Sequence, residues 1–481
     1  MTDIRGLIGL LQRADWTQLS LSADVSDGSR VLIAPGRRYR CQDPDGYLTG
    51  CDGDRPWELS AEDEGDPNES VHLVGGPEAP LAKLLCPARL LDSSRLDLRG
   101  TARACGRDAI DVVITRRPSL RTGPISADDL ADVVEALVDA ESGILLRIAE
   151  LGKDGRPDIL ELVRADFAPV AEASLFQPPA GSRIAEGVGE FFSGPLRPAW
   201  AAATTVGGLA AGALGAWIRY SPLRHNPTSA SRGIDTSQEI ARDEPAPDRA
   251  QSGSSVSDEL LELLHAGGPD ELAATLHEWL DVGAMAASVP GSARRAGLGG
   301  LGLLMDAVSE KSRAVHMVSE IRFAAPGTYQ IDRRYQPRRR PATIACDGQR
   351  RWEVHADRIT TGPAQPPSRK IGYLADPSWL LQCTLSGGDM VTAGSRTAYR
   401  ISVTRRAMES GGGLMMYPAA VAVVDAELGV ILRLTYYIGD KPVERSELRD
   451  VASSVGNFRP AMPAGLPVVE RTRRSGRPHH G

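Results

Sequence analysis

CDGDRPWE at residues 51–58 returns as CDGQRRWE at 346–353, and other segments of the chain repeat around that pair in the same order. PARLL (87–91) returns as PSWLL (377–381), VITRR (113–117) as VTRR (403–406), and DAESGILLR (139–147) as DAELGVILR (425–433). An EL pair follows each (Glu161-Leu162, Glu447-Leu448), then a Phe leading into PPAG or MPAG (176–181, 458–465). The offset between matching blocks drifts only from 295 to 284, which chance does not produce over six blocks. The order predicts a tandem duplication with each copy about one domain long, Trp57 standing where Trp352 does and Asp139 where Asp425 does.

Inside each copy the apolar period is two. Tyr399, Ile401 and Val403 alternate with Arg400, Ser402 and Thr404, and Val430, Leu432, Leu434 and Tyr436 alternate in the same way. Asp52-Gly53, Asp347-Gly348, Ser142-Gly143, Asp154-Gly155 and Gly439-Asp440 are turn signals between such runs. Short strands joined by tight turns make an antiparallel meander. Helices are expected at Ile4–Leu11, at its counterpart Leu301–Val308, after a Ser257 cap, and over Pro269–Asp281, where Leu272, Leu276, Trp279 and Leu280 fit one helical face. The expected class is α+β: two tandem domains, each a curved antiparallel sheet, an unclosed barrel, with helices covering the concave face.

The run GSRVLIAPGRRYRCQDPDGYLTGCDGDRPWEL (28–59), the DAESGILLR strand and the closing Phe-x-Pro-Pro-Ala-Gly resemble the bacterial lipoprotein-carrier family, the LolA/LolB-like fold shared by RseB and the mycobacterial LppX group. APGTYQIDRRY (325–335), CDGQRRW, DAELGVILR and 458–465 repeat the resemblance. It implies an apolar cavity between sheet and helices that holds a lipid, acyl chain or lipidated peptide. Carriers of that family often have Arg before the Pro of the first hairpin. Ala34 and Ala325 hold those places here, so lid movement does not carry over with the fold.

The formal charge of −7 is unevenly spread, with 21 Lys and Arg against 33 Asp and Glu in residues 1–190 and 34 against 29 after them. The acidic half repels nucleic acid, and no nucleic-acid partner is expected. Cys41, Cys51, Cys86, Cys105, Cys346 and Cys383 form no CxxC pair and lie at no zinc-finger spacing, so free thiols are expected and no metal. The first residues carry no secretory pattern, which points to the cytoplasm or the inner face of its membrane. There is no GxSxG, GxxxxGK[ST] or HExxH, and His72, His225, His265, His277, His316, His355, His479 and His480 do not cluster with carboxylates; neither an enzyme nor a cofactor is expected.

The candidate ligand-binding residues are Trp57, Trp352 and Trp379, placed on strands by the repeats, where they line a lipid pocket or fill the sheet core. Arg333, Arg334, Arg338, Arg339 and Arg340, with Arg350 and Arg351, form a basic hairpin suited to anionic headgroups or to solvent. The matching stretch of the first copy carries Asp43, Asp45, Asp52 and Asp54, so the copies could meet through opposite charge there.

AWAAATTVGGLAAGALGAWI (199–218) has the length and aromatic edging of a membrane span. Its Ala and Gly bring little drive into lipid, whereas Gly208 and Gly212 suit close helix packing. The expected organisation is a first carrier-like domain at 1–185, an Ala/Gly-rich helix at 186–225, a disordered linker at 226–256, extra helices at 257–300, a second carrier-like domain at 301–470 and a basic tail at 471–481. The function expected is non-enzymatic binding of a lipid or lipidated peptide. The alternative is a scaffold that uses the same surfaces on a protein partner or a membrane surface.

Overall fold

The computed structural model of the chain describes residues 3–59, 79–117, 133–151, 156–169, 171–184, 256–281, 315–325, 327–334, 342–367, 369–404 and 419–470. In the first part, β1 (Leu21–Val25), β2 (Arg30–Ala34), β3 (Arg38–Gln42), β4 (Leu48–Asp52) and β5 (Pro56–Leu59) run outward as successive hairpins. The chain then crosses to the opposite edge. From there β6 (Ser94–Ala104), β7 (Arg107–Arg116), β8 (Val133–Asp139), β9 (Leu145–Leu151) and β10 (Pro157–Asp166) return, and β10 pairs with β1. β11 (Arg183–Ile184) adds to β5, giving an eleven-stranded antiparallel sheet ordered β11-β5-β4-β3-β2-β1-β10-β9-β8-β7-β6.

The second sheet repeats this plan. β12 (Leu272–Leu280), β13 (Val315–Ala325), β14 (Thr328–Arg333), β15 (Thr343–Asp347), β16 (Arg350–Val354) and β17 (Ile359–Pro363) run outward. β18 (Thr384–Ala393), β19 (Arg396–Thr404), β20 (Ala419–Asp425), β21 (Ile431–Ile438) and β22 (Lys441–Ala452) return to pair with β12. With β23 (Val468–Glu470) parallel to β17 it has twelve strands. Both sheets are unclosed.

Trp57 on β5 and Trp352 on β16 hold the same place in the two strand orders, as do Asp139 at the end of β8 and Asp425 at the end of β20. The two Asp even share a partner type: Arg107 Nε lies 2.6 Å from Asp139, and Arg396 Nη1 lies 2.9 Å from Asp425.

Topology explains where the helices lie, because a chain that leaves one sheet edge and restarts at the other has to pass over a face. That crossing carries α2 (Ala79–Leu85) and a 3-10 turn (Pro87–Leu91) in the first domain. α1 (Ile4–Arg13) precedes β1, and its Asp3 cap accepts the Gly6 N–H at 2.8 Å. In the second domain α3 (Asp258–Ala266), capped by Ser257, precedes β12, and α4 (Arg369–Ala375) with the 3-10 turn Pro377–Gln382 makes the crossing.

Two sequence expectations change here. Leu272–Leu280 is strand rather than helix: β12 lies between β22 and β13, with Leu272, Ala274 and Leu276 buried on one face and Thr275 and Trp279 buried on the other. A spacing of four suits a helix, but alternation with Thr275 and Trp279 suits a strand, and pairing on both sides decides it. The counterpart of α1 is therefore α3, so the second sheet takes in residues set apart as extra helices, and Leu301–Val308 lies outside the described residues. Trp379 sits in a 3-10 turn, not on a strand, because Pro377 follows the Asp376 cap.

Among the described residues the domains meet through their helical segments rather than through the oppositely charged hairpins. α1 packs on α3 and the two 3-10 turns pack on each other, so four short helical segments form one layer in a core continuous through both domains. Leu7, Ile8 and Leu11 of α1 and Leu260, Leu261 and Leu264 of α3 enter it at 0–1% exposure.

Candidate functional site

The inner face of the first sheet, the one carrying α2 and the 3-10 turn, is set by register: Arg116 lies opposite Ser94, and Ile114 opposite Val134, which lies opposite Glu150. These side chains, with Arg89, Leu90 and Asp92 from the turn and its exit, line a cleft that has room for about 30 Å³. Ile114, Val134 and half-buried Leu90 give it an apolar floor, and the rest give it a charged rim. Lys83 of α2 reaches Glu150 at 2.8 Å.

Comparing the matched blocks explains why the cleft is on this side. Lys83, Arg89 and Glu150 occupy the positions where the second copy has Tyr373, Trp379 and Tyr436. There the rings pack, Tyr373 against Trp379 at 5.0 Å between centroids, and all three are buried. The second inner face is thus filled by its own aromatic side chains. Its α4 is also fastened: Lys370 Nζ lies 2.9 Å from Glu278 and 2.5 Å from Glu444. Burial pulls the Lys370 pKa down, but the two carboxylates outweigh it and hold the ammonium above its usual range.

A polar seam joins the cleft to the second domain. Asp92 accepts from Gln382 Nε2 at 2.7 Å and faces Ser378 Oγ at 3.2 Å, while Ser93 donates its N–H to Ser378 Oγ at 3.0 Å and its hydroxyl to Asp376 at 3.0 Å. Ser93 has φ of 48°, a left-handed conformation costly for a residue with a Cβ. Ser94 Oγ lies 3.5 Å from Nε2 of His265, and Arg117 donates to the His265 and Ala266 carbonyls at the end of α3. Burial first, then the Arg117 charge, depress the His265 pKa to about 4, with Asp376 opposing.

The tryptophans singled out from sequence lie elsewhere than the cleft. Trp57 is buried and donates to the Phe176 carbonyl at 2.9 Å, and Trp379 donates to the Tyr373 carbonyl at 3.1 Å. Trp352 is buried in a small cluster with Ala345 and Ile359. In the basic hairpin, Arg334 pairs with Glu320 at 2.9 Å and Arg351 with Glu353 at 2.7 Å. Arg333 ends β14, and Arg338, Arg339 and Arg340 lie outside the described residues, as do Gly208, Gly212 and the 199–218 run. Among the described residues no helix is long and apolar enough to cross a membrane. Sequence reading passed over Arg89 and Arg116 although both lie in repeated blocks; for Arg89 the available signal was where the blocks differ, Arg against Trp, whereas Arg116 stands where the second copy also has Arg, at Arg405.

No family model matches the chain, and no curated protein matches it. Among solved structures it is similar to MucB from the MucA/MucB complex of Pseudomonas aeruginosa (15% identity, 37% of this chain and 62% of that one, TM-score 0.24). It is also similar to LprF from Mycobacterium bovis (12% identity, 44% and 100%, 0.25) and to a LolA superfamily protein from Nitrosomonas europaea (7% identity, 41% and 93%, 0.21). The match spans less than two thirds of the MucB chain from that complex.

Proposed function

We propose that the protein is a non-enzymatic binding protein whose first domain takes the head of an amphiphile, a lipid, acyl chain or lipidated peptide, in the cleft beneath α2. The observation that carries this is the exchange of Tyr373, Trp379 and Tyr436 for Lys83, Arg89 and Glu150 between two otherwise matched inner faces. As it stands, a space of about 30 Å³ admits little more than water, far less than the several hundred Å³ of ordinary ligand pockets, so the head seats fully as the cleft widens. The tail enters as α2 lifts. Among the described residues the main polar tie on α2 is Lys83–Glu150, an ion pair with Lys83 45% exposed, and such pairs cost about 1 kcal/mol or less to break. We further infer that the domains arose by duplication, which the shared strand order and the repeated Arg–Asp pair support. We place the protein in a reducing compartment, a reading supported by six free cysteines. The second domain's filled face favours a second role for it, as a protein-contact scaffold.

The test is equilibrium binding of a fluorescent long-chain fatty acid to the full chain, alongside Arg89→Trp, which copies the second domain's filler. Saturable binding by the wild type and its loss in the variant is expected. Wild-type protein that does not bind, or a variant that binds as well, overturns the reading.

A further inference from the structure

Resting on that reading, we propose that Arg116 anchors an acidic head group, carboxylate or phosphate, and that the second domain makes the cleft selective by holding the competing carboxylate of Asp92 away. The cleft lining contains two acids and two arginines. Glu150 is neutralised by Lys83 at 2.8 Å. Asp92, also in the lining, is held by Gln382 and Ser378 of the second domain and by the neighbouring Ser93 hydroxyl at 3.1 Å. Arg116, half-buried at the end of β7, makes no ion pair and no side-chain hydrogen bond among the described residues, and it lines the cleft together with the apolar Ile114 and Val134. A guanidinium offers a planar fork that matches a carboxylate or phosphate with two parallel bonds, and beside an apolar floor that is the chemistry of an acid-headed amphiphile.

The hold on Asp92 is specific. The chain between the 3-10 turn and β6 passes through Ser93 in its left-handed conformation, and Ser378 and Asp376 both bond to Ser93. The second domain therefore fixes the backbone beside Asp92 as well as the carboxylate. Of the two acids in the lining, Glu150 is paired with Lys83, so Asp92 is the one that loss of Gln382 would let turn to Arg116 and occupy it from within.

The experiment compares a fluorescent fatty acid, its methyl ester and a phosphate-headed lysolipid on the full chain. Wild type should prefer the acid over the ester by about tenfold, the scale of one charge-assisted pair. Arg116→Gln should erase that preference by weakening the acid far more than the ester, and Arg116→Lys should keep part of it. Gln382→Ala should weaken the acid alone, and Asp92→Asn in that background should restore it, a rescue that general unfolding cannot give. The lysolipid arm separates the sources, a phosphate preference equal to or above that for the acid pointing to phospholipid and a weaker one to free fatty acid. If Arg116→Gln still prefers the acid, or Asp92→Asn does not restore Gln382→Ala, the inference fails while binding itself stands. If the wild type binds none of the three probes, the underlying reading has failed and this one with it.

Discussion

Acidification should loosen the protein at the seam between its domains, and one side chain sets the size of the effect. His265 is 8% exposed at the end of α3, beside Ser94, with the Arg117 guanidinium on its carbonyl and Asp376 near by. Its folded pKa of about 4 lies below the ordinary 6.5 of an unfolded His. Because the folded state disfavours the proton, its contribution is complete above pH 6.5 and is lost as pH falls from 6.5 to about 4. At about 1.4 kcal/mol per pH unit that window amounts to about 3 kcal/mol. On α1 the equivalent place is held by Gln12, which donates to the Cys383 carbonyl at 3.3 Å, so His265→Gln is a tolerated shape without a titrating ring. Urea unfolding of both proteins at pH 7.5 and pH 4 is the assay. Wild type should lose about 3 kcal/mol more than His265→Gln across that interval. Equal losses would refute the assignment of a buried, neutral imidazole to the seam.

Three further outcomes are expected from thermal and denaturant unfolding. Gly50→Ala should destabilise by about 1–3 kcal/mol, since a Cβ there would stand 2.2 Å from the Trp57 ring, and a melting temperature within one degree of wild type would contradict that packing. Asp425→Asn should cost about 3 kcal/mol by stripping fully buried Asp425 of its charge against Arg396, whereas Glu427→Gln, on a side chain 84% exposed, should cost less than about 1 kcal/mol. Lys370→Ala should cost about 3–5 kcal/mol by leaving Glu278 and Glu444 facing each other, and Lys83→Ala about 1 kcal/mol or less; similar values for the two would remove the distinction between a fastened and a liftable crossing helix.

The repeated blocks carried the fold because they fall on turns and strand ends, where residue type is fixed by backbone conformation. Gly53 and Gly348 adopt φ of 115° and 91°, so Asp-Gly is needed at the same hairpin in each sheet. β12 was hidden for the opposite reason: its apolar spacing fits either period, and only the neighbouring β22 and β13 settle it. The tryptophans stand out in the sequence as large rings, yet rings of that size in a sheet mostly pack its interior, as Trp57 and Trp352 do. The cleft was written in the sequence as a disagreement between copies, Arg89 against Trp379 and Glu150 against Tyr436. Its meaning needed the register that brings Glu150 beside Val134 and Ile114. The seam could not be read at all, since Asp92 and Gln382 are 290 positions apart and meet only when the two helical layers fuse.

The most direct test of the account is native mass spectrometry of the full chain purified gently from its own host. The account predicts a bound amphiphile with an acidic head, one per chain, present on wild type and absent from Arg89→Trp. Wild-type protein that flies at its bare sequence mass, or a ligand retained equally by Arg89→Trp, would contradict it.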